Sequence, residues 1–179
     1  MNTTGFIGLG SNLGDRVAVI LNAVEHIDET PGLSVWRLST LLETNPVGKQ
    51  NQPDFLNAVA EVRSSLAALE VMDHLLAIEQ KLGRIRSDDD PGGPRTIDLD
   101  LLLWGDVTSD EPGLQLPHPR LHDRAFVLVP MVELAPNLMH PTLGRNMQEL
   151  LADEIARNGD LPGRCRTAGQ GPLRTPDLD

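Results

Sequence analysis

The alternation of apolar and polar positions divides the chain into short elements. "GFIGLG" (residues 5–10) reads as a short buried strand. After "SNLGDR", apolar residues recur at Val17, Ile20, Leu21, Val24 and Ile27, one stripe at helical spacing. Asp15 is placed to cap that helix and "TPG" (residues 30–32) to end it. A second strand is expected over about residues 34–43, then the polar "TNPVGKQNQPDF", then a third strand in "LNAVAEVRS". Ser65 is the expected cap of a second helix, whose apolar positions are Leu69, Met72, Leu75, Leu76 and Leu82, with Gly83 at its end. A Gly- and Asp-rich loop (residues 87–93) leads into "PRTIDLDLLLWG", a β-compatible run closed by glycine.

The order β-α-β-β-α-β predicts a ferredoxin-like α+β fold, an antiparallel sheet with its helices on one face. Beyond it come a loop, "LPHPRLHDRAF", apolar short helices to about Ala135 and a helix near residues 147–155. One domain is expected over residues 1–157. Gly, Pro and charges dominate residues 158–179, which read as a disordered tail.

Composition narrows the possibilities. A chain of 179 residues, 40% hydrophobic, can build one sizeable core. No apolar run approaches the roughly 18 residues of a membrane span and no basic-then-apolar leader opens the sequence, so no membrane association is expected. A single cysteine, Cys165, excludes an internal disulfide framework and fits a cytoplasmic location. A net charge of −11 argues against nucleic-acid partners. No apolar stretch is left over for a partner chain, so a monomer is expected. Lys49 and Lys81 are the only lysines among 15 basic residues. Five of the arginines (Arg84, Arg86, Arg95, Arg120 and Arg124) fall close together in sequence, and guanidinium forks suit phosphate or carboxylate.

Candidate chemistry begins inside the last strand. Asp98 and Asp100 share one face, about 6–7 Å apart, while Ile97, Leu99 and Leu101 take the other. Such a pair can ligate a hard cation together with phosphate oxygens, or can be salt-bridged to Arg95 or Arg84. "GLGSNLG" lacks both dinucleotide-fingerprint spacing and a P-loop lysine, so a tight strand-to-helix turn explains it. His118 and His122 have no cysteine nearby and a proline between them, which disfavours zinc. His118, Arg120, His122 and Arg124 form a polar loop that either meets phosphate or is simply solvated. Glu79 points with the apolar stripe of the second helix, either pairing with an arginine for stability or ordering an active-site arginine. Phe55 and Phe126 lie beside polar loops; they are core anchors or a pair that stacks on a flat heterocycle whose edge Asn57 reads.

Taken together, "GLGSNLGDR", "ETNPVG…QPDFLNAV", "IEQKLGRIR", "GPRTIDLD" and "LPHPRLHDRAFVLVPMVELAP" resemble the successive signatures of the 6-hydroxymethyl-7,8-dihydropterin pyrophosphokinases. The resemblance implies transfer of the ATP β,γ-diphosphoryl group to the pterin hydroxymethyl oxygen, with release of AMP, in folate biosynthesis. It implies two Mg²⁺ ions on Asp98 and Asp100, and Arg84, Arg95, Arg124 and His118 at the ATP phosphates. Arg86 and Glu79 join the nucleotide side. Thr44, Pro46, Val47, Phe55, Asn57 and Phe126 form the pterin side. One segment departs from the family pattern: "SDDDPGG" is acidic and has no aromatic residue, where the family often carries a basic residue and a Trp. A slower enzyme follows from that change, or, as the alternative, a module that binds pterin and nucleotide without transfer.

Overall fold

The computed structural model describes residues 2–46, 51–85, 93–159, 166–167 and 173–174. In chain order it forms β1 (Thr3–Ser11), α1 (Arg16–Asp28), β2 (Leu33–Leu38), β3 (Leu42–Thr44), β4 (Phe55–Ser64), α2 (Ala68–Lys81) and β5 (Asp98–Trp104). The sheet runs β5-β1-β4-β2, each neighbour antiparallel, and β3 continues the line of β2 along β4. That is the expected ferredoxin-like order. The expected second strand is broken in two around Ser39, whose Oγ accepts the Val59 N–H at 2.9 Å in place of a regular ladder bond.

α1 and α2 cover one face. Ile20, Ala23 and Ile27 are the buried residues of α1, and Val17 and Leu21 stay outside, 42% and 36% exposed. In α2 the buried line is Val71, Leu75, Ile78 and Glu79; Leu69 faces water. The two missed residues, Val71 and Ile78, are β-branched and fill the stripe between leucines. The cap of α2 also differs from expectation. The Glu70 carboxylate accepts the Ala67 N–H at 2.7 Å, whereas the Ser65 N–H is used by Gly32 O in a turn. Asp15 does cap α1, accepting from the Ala18 N–H at 3.1 Å.

The opposite face is not left bare. Along β5, Leu99 and Leu101 enter the α1/α2 core, but a bulge against Phe6 and Ile7 changes the alternation. Leu102 and Leu103 therefore both turn to the second face, where they join Phe6 and Val59. This apolar patch is covered by a 3-10 turn (Leu121–Asp123), α3 (Ala125–Leu134) and α4 (Met147–Asn158). Helices thus lie on both faces of the sheet, a departure from the one-sided expectation. The hairpin of β6 (Ser109–Glu111) and β7 (Leu114–Leu116) is a further addition; its three-residue strands are too short to show a period. In the segment expected to be disordered, β8 (Arg166–Thr167) pairs with β3 and β9 (Leu173–Arg174) with β2; its other residues from 160 onward lie outside the described residues.

Candidate active site

The site is built on an absence of side chains. In β1, Gly10 stands between Asp98 of β5 and Asn57 of β4, and Gly8 between Asp100 and Val59. On the second face these positions contribute only hydrogens, so a trough opens along the central strand beside the α3 patch. It forms a cavity of about 380 Å³. A Cβ at Gly10 would lie 3.1 Å from Asn57 Oδ1, so this close approach is what the glycine permits. The glycines of "GLGSNLG" therefore divide: Gly8 and Gly10 are floor, and Gly14 (φ +67°) makes the turn into α1.

One half of the cavity is charged. Asp98 pairs with Arg84 and, at 3.1 Å, with Arg95. Arg84 also grips Glu79, which is 1% exposed and accepts the Leu99 N–H at 2.8 Å. Burial works to lower the Arg84 pKa, but Asp98 and Glu79 outweigh it and hold the guanidinium above its ordinary value. Asp100 lies 3.4 Å from Arg124 Nη1 and 3.9 Å from His118 Nε2. Its carboxyl is pushed up by burial and by the Asp98 charge, against the pull of His118 and the arginines. The His118 Nδ1 accepts the Arg120 N–H at 3.1 Å, so the neutral ring carries its proton on Nε2, the atom that faces Asp100. Burial lowers the His118 pKa, Asp100 opposes this, and Arg124 and Arg120 add to the lowering. At neutral pH the imidazole is a neutral hydrogen-bond donor.

Two same-face carboxylates, one desolvated beside the other, fit a cation. Among the described residues no three His, Cys, Asp or Glu side chains group closely enough to hold a metal by themselves. A metal at Asp98 and Asp100 would share its shell with water and ligand oxygens, which is the habit of Mg²⁺.

The other half is flat and apolar, with one amide. Phe55 from β4 and Phe126 from α3 both line the cavity. The Arg95 guanidinium sits 5.5 Å from the Phe55 ring centroid, and that of Arg124 5.7 Å from Phe126. Each ring thus touches the charged half through an arginine. Asn57 is 7% exposed and its Nδ2 donates to Thr44 Oγ1 at 2.7 Å, which fixes the amide plane beside the glycine floor.

Ten residues singled out in the sequence meet in this one wall: Thr44, Phe55, Asn57, Arg84, Arg95, Asp98, Asp100, His118, Arg124 and Phe126. Glu79 does not reach it; the carboxylate expected at the nucleotide stands one layer behind, under Arg84. Pro46 lies beside the wall and is not part of it. Val47, Arg86 and the acidic loop, Gly93 apart, lie outside the described residues. Arg120, read from the sequence as part of a polar loop that meets phosphate or is solvated, lines the wall as well. The sequence reading missed Asn45 and the glycine floor. It also missed Asn12, which is 2% exposed and carries no signal beyond being a polar residue directly after an apolar strand. Asn12 Oδ1 accepts the Arg95 N–H at 2.8 Å, and its Nδ2 donates to Gln52 Oε1 and Pro53 O, both at 3.1 Å. One amide therefore ties the chain before Phe55 to the chain before Asp98.

Comparison with known proteins identifies related chains. The profile of the 7,8-dihydro-6-hydroxymethylpterin-pyrophosphokinase (HPPK) family matches residues 6–136. The 2-amino-4-hydroxy-6-hydroxymethyldihydropteridine pyrophosphokinase of Pseudomonas aeruginosa is 42% identical over 147 residues, 82% of this chain and 89% of the relative. The Bacillus subtilis protein of the same name is 40% identical over 134 residues, 75% of this chain and 79% of the relative. A solved Plasmodium falciparum HPPK-DHPS with SDX-DHP shares the fold, with a TM-score of 0.69 at 15% identity over 88% of this chain. This chain spans 45% of that longer one. On the family profile and on relatives matched over most of their length, the chain belongs to the 7,8-dihydro-6-hydroxymethylpterin-pyrophosphokinases.

Proposed function

We propose that the cavity over Gly8 and Gly10 is where this chain transfers the diphosphoryl group of ATP to the hydroxymethyl oxygen of 6-hydroxymethyl-7,8-dihydropterin. The pterin oxygen bonds to the β-phosphorus, the bond from that phosphorus to the α–β bridging oxygen breaks, and AMP leaves with the oxygen. The hydroxyl proton passes to solvent. The observation that carries the reading is that one cavity is lined both by flat and amide groups, Phe55, Phe126 and Asn57, and by charged ones, Asp98, Asp100 and arginines.

The roles follow from the chemistry of each group. Phe55 and Phe126 stack on the pterin, and Asn57, braced by Thr44, reads its edge. Asp98 and Asp100 would hold Mg²⁺, which supplies charge neutralisation at the phosphates when bound. Arg84 and Arg95, both fastened to Asp98, offer their remaining N–H groups to phosphate oxygens. His118 donates from Nε2, and Arg124 spans the two halves. No side chain here has to act as a strong base. Holding two reactants in line and stabilising charge supply most of the rate in phosphoryl transfer.

The test is AMP release from Mg-ATP with 6-hydroxymethyl-7,8-dihydropterin, in wild type and in Asp98→Ala. Pterin-dependent AMP that falls at least a hundredfold in the variant is expected, from loss of a group stabilising phosphoryl-transfer charge by about 2.7–4 kcal/mol. A folded wild-type protein that binds pterin and forms no AMP would instead support the binding-only reading.

A further inference from the structure

We infer that Arg120 is a nucleotide-binding residue, one whose guanidinium takes phosphate oxygens of ATP; this rests on the reading of the cavity as a diphosphoryl-transfer site.

Among the described residues four arginines line the cavity: Arg84, Arg95, Arg120 and Arg124. Three are already committed to carboxylates, Arg84 to Glu79 and Asp98, Arg95 to Asp98, and Arg124 to Asp100. Arg120 is exposed, and among the described residues its guanidinium makes neither a hydrogen bond nor an ion pair. Arg120 shares the cavity wall with Arg124 and His118. The nearest acid along the chain, Asp123, is held by Arg157 at 2.8 Å. Two guanidinium groups on one cavity wall, Arg120 and Arg124, repel each other. A polyphosphate entering the cavity reverses the sign of that interaction.

The backbone also aims this residue. The Arg120 N–H donates to His118 Nδ1, so residue 120 and the imidazole are locked in one turn. The Asp123 N–H donates to Arg120 O at 3.3 Å, which continues the same turn into the 3-10 segment before Arg124. His118, Arg120 and Arg124 are therefore presented to the cavity by one rigid stretch of chain. A guanidinium with all its donors free suits phosphate rather than the neutral, flat pterin, which the rings and the amide already serve.

The experiment compares wild type, Arg120→Ala and Arg120→Lys by calorimetric titration with the Mg²⁺ complex of α,β-methylene-ATP, and separately with pterin. Arg120→Ala is expected to weaken the nucleotide analogue about tenfold, the loss of a charge-assisted contact, with pterin affinity and thermal midpoint unchanged. Lys, keeping the charge without the fork, is expected to recover part of that loss. Analogue affinity in Arg120→Ala within twofold of wild type would overturn the inference. So would an equal loss of pterin affinity, which would mean the turn has merely collapsed. Binding is read without turnover, so failure of wild type to form AMP would count against the reaction and leave this result to stand or fall separately.

Discussion

Glu79 shows how one buried residue can serve a site it does not touch. A carboxylate 1% exposed in a helix stripe is costly unless strong donors meet it. Here it meets the Arg84 guanidinium and the Leu99 N–H, so it fixes the arginine and the start of β5 at once. Arg84 is itself mostly buried, and it holds Asp98 with the same Nη1 that binds Glu79. Removing the carboxylate leaves a buried guanidinium with one partner fewer. Glu79→Ala is therefore expected to lower the unfolding free energy by about 3–5 kcal/mol in urea titration. Glu79→Gln, which still accepts from Leu99 and from Arg84, is expected to lose less than half as much. Nucleotide affinity should fall in both while pterin affinity holds. If Ala and Gln destabilise equally, the charge at position 79 is not what holds Arg84.

At the level of elements, what could be read from the sequence depended on whether the governing rule was local. Asp98 and Asp100 share a face because a strand alternates, and nothing from elsewhere in the fold is needed to see it. Arg84 and Arg95, close by in sequence, could be named as ion-pair partners and both meet Asp98, whereas Arg124 and His118 reach Asp100 only through tertiary packing and were not legible as its partners. The α2 stripe was half read: leucines marked its edge, and the buried Val71 and Ile78 went unrecognised. The α3 and α4 layer was foreseen as helices but not as a second cover, because the bulge that turns Leu102 and Leu103 together arises only when β5 pairs with β1. The glycines of β1 belong to the same class. Their function as a floor exists only between β4 and β5, and a single strand does not display it. This gives a direct test. The atoms nearest a Cβ at Gly8 would be Leu102 side-chain carbons, at 3.5 Å or more, which is ordinary contact, and valine suits a central strand. Gly8→Val is expected to fold with a thermal midpoint within a few degrees of wild type and to bind pterin at least tenfold more weakly, because the methyls occupy the trough. Unchanged pterin affinity in the folded variant would show that ligand does not rest on this floor.

Over the whole molecule, charge is distributed against its average. The chain carries a net −11, yet among the described residues the cavity wall holds four arginines and two aspartates. A polyanionic substrate is drawn to a local positive field on a surface that otherwise repels it, so nucleotide affinity is expected to depend on ionic strength. Titration of the molecule towards acid is governed by groups held neutral inside it. His140 is 4% exposed, next to the bridge between Met139 and Asn146 that precedes α4. Its Nδ1 is approached by the Thr142 N–H at 3.4 Å, and among the described residues its Nε2 has no hydrogen-bond partner. The Thr142 hydroxyl, 3.3 Å from Nδ1, is the one neighbour among the described residues placed to accept from a doubly protonated ring. Burial, and then the nearby His122, with ring centroids 6.3 Å apart, hold the His140 pKa below its ordinary 6.5. The unfolded chain protonates this ring near 6.5 and the folded chain does not, so below that pH the unfolded state binds more protons. Its stabilising contribution is whole above that value and is lost as pH falls from 6.5 through the lower folded pKa. His118, also held down, acts in the same direction. The urea midpoint of wild type is therefore expected to drop between about pH 7.5 and about pH 5.5. His140→Gln, whose amide does not titrate, should start lower at the upper pH and drop by less, keeping only the part that His118 contributes and that the raised Asp100 carboxyl opposes. An equal drop in both proteins would show that His140 takes up its proton without unfolding its surroundings, and that the acid sensitivity of this fold lies in the cavity alone.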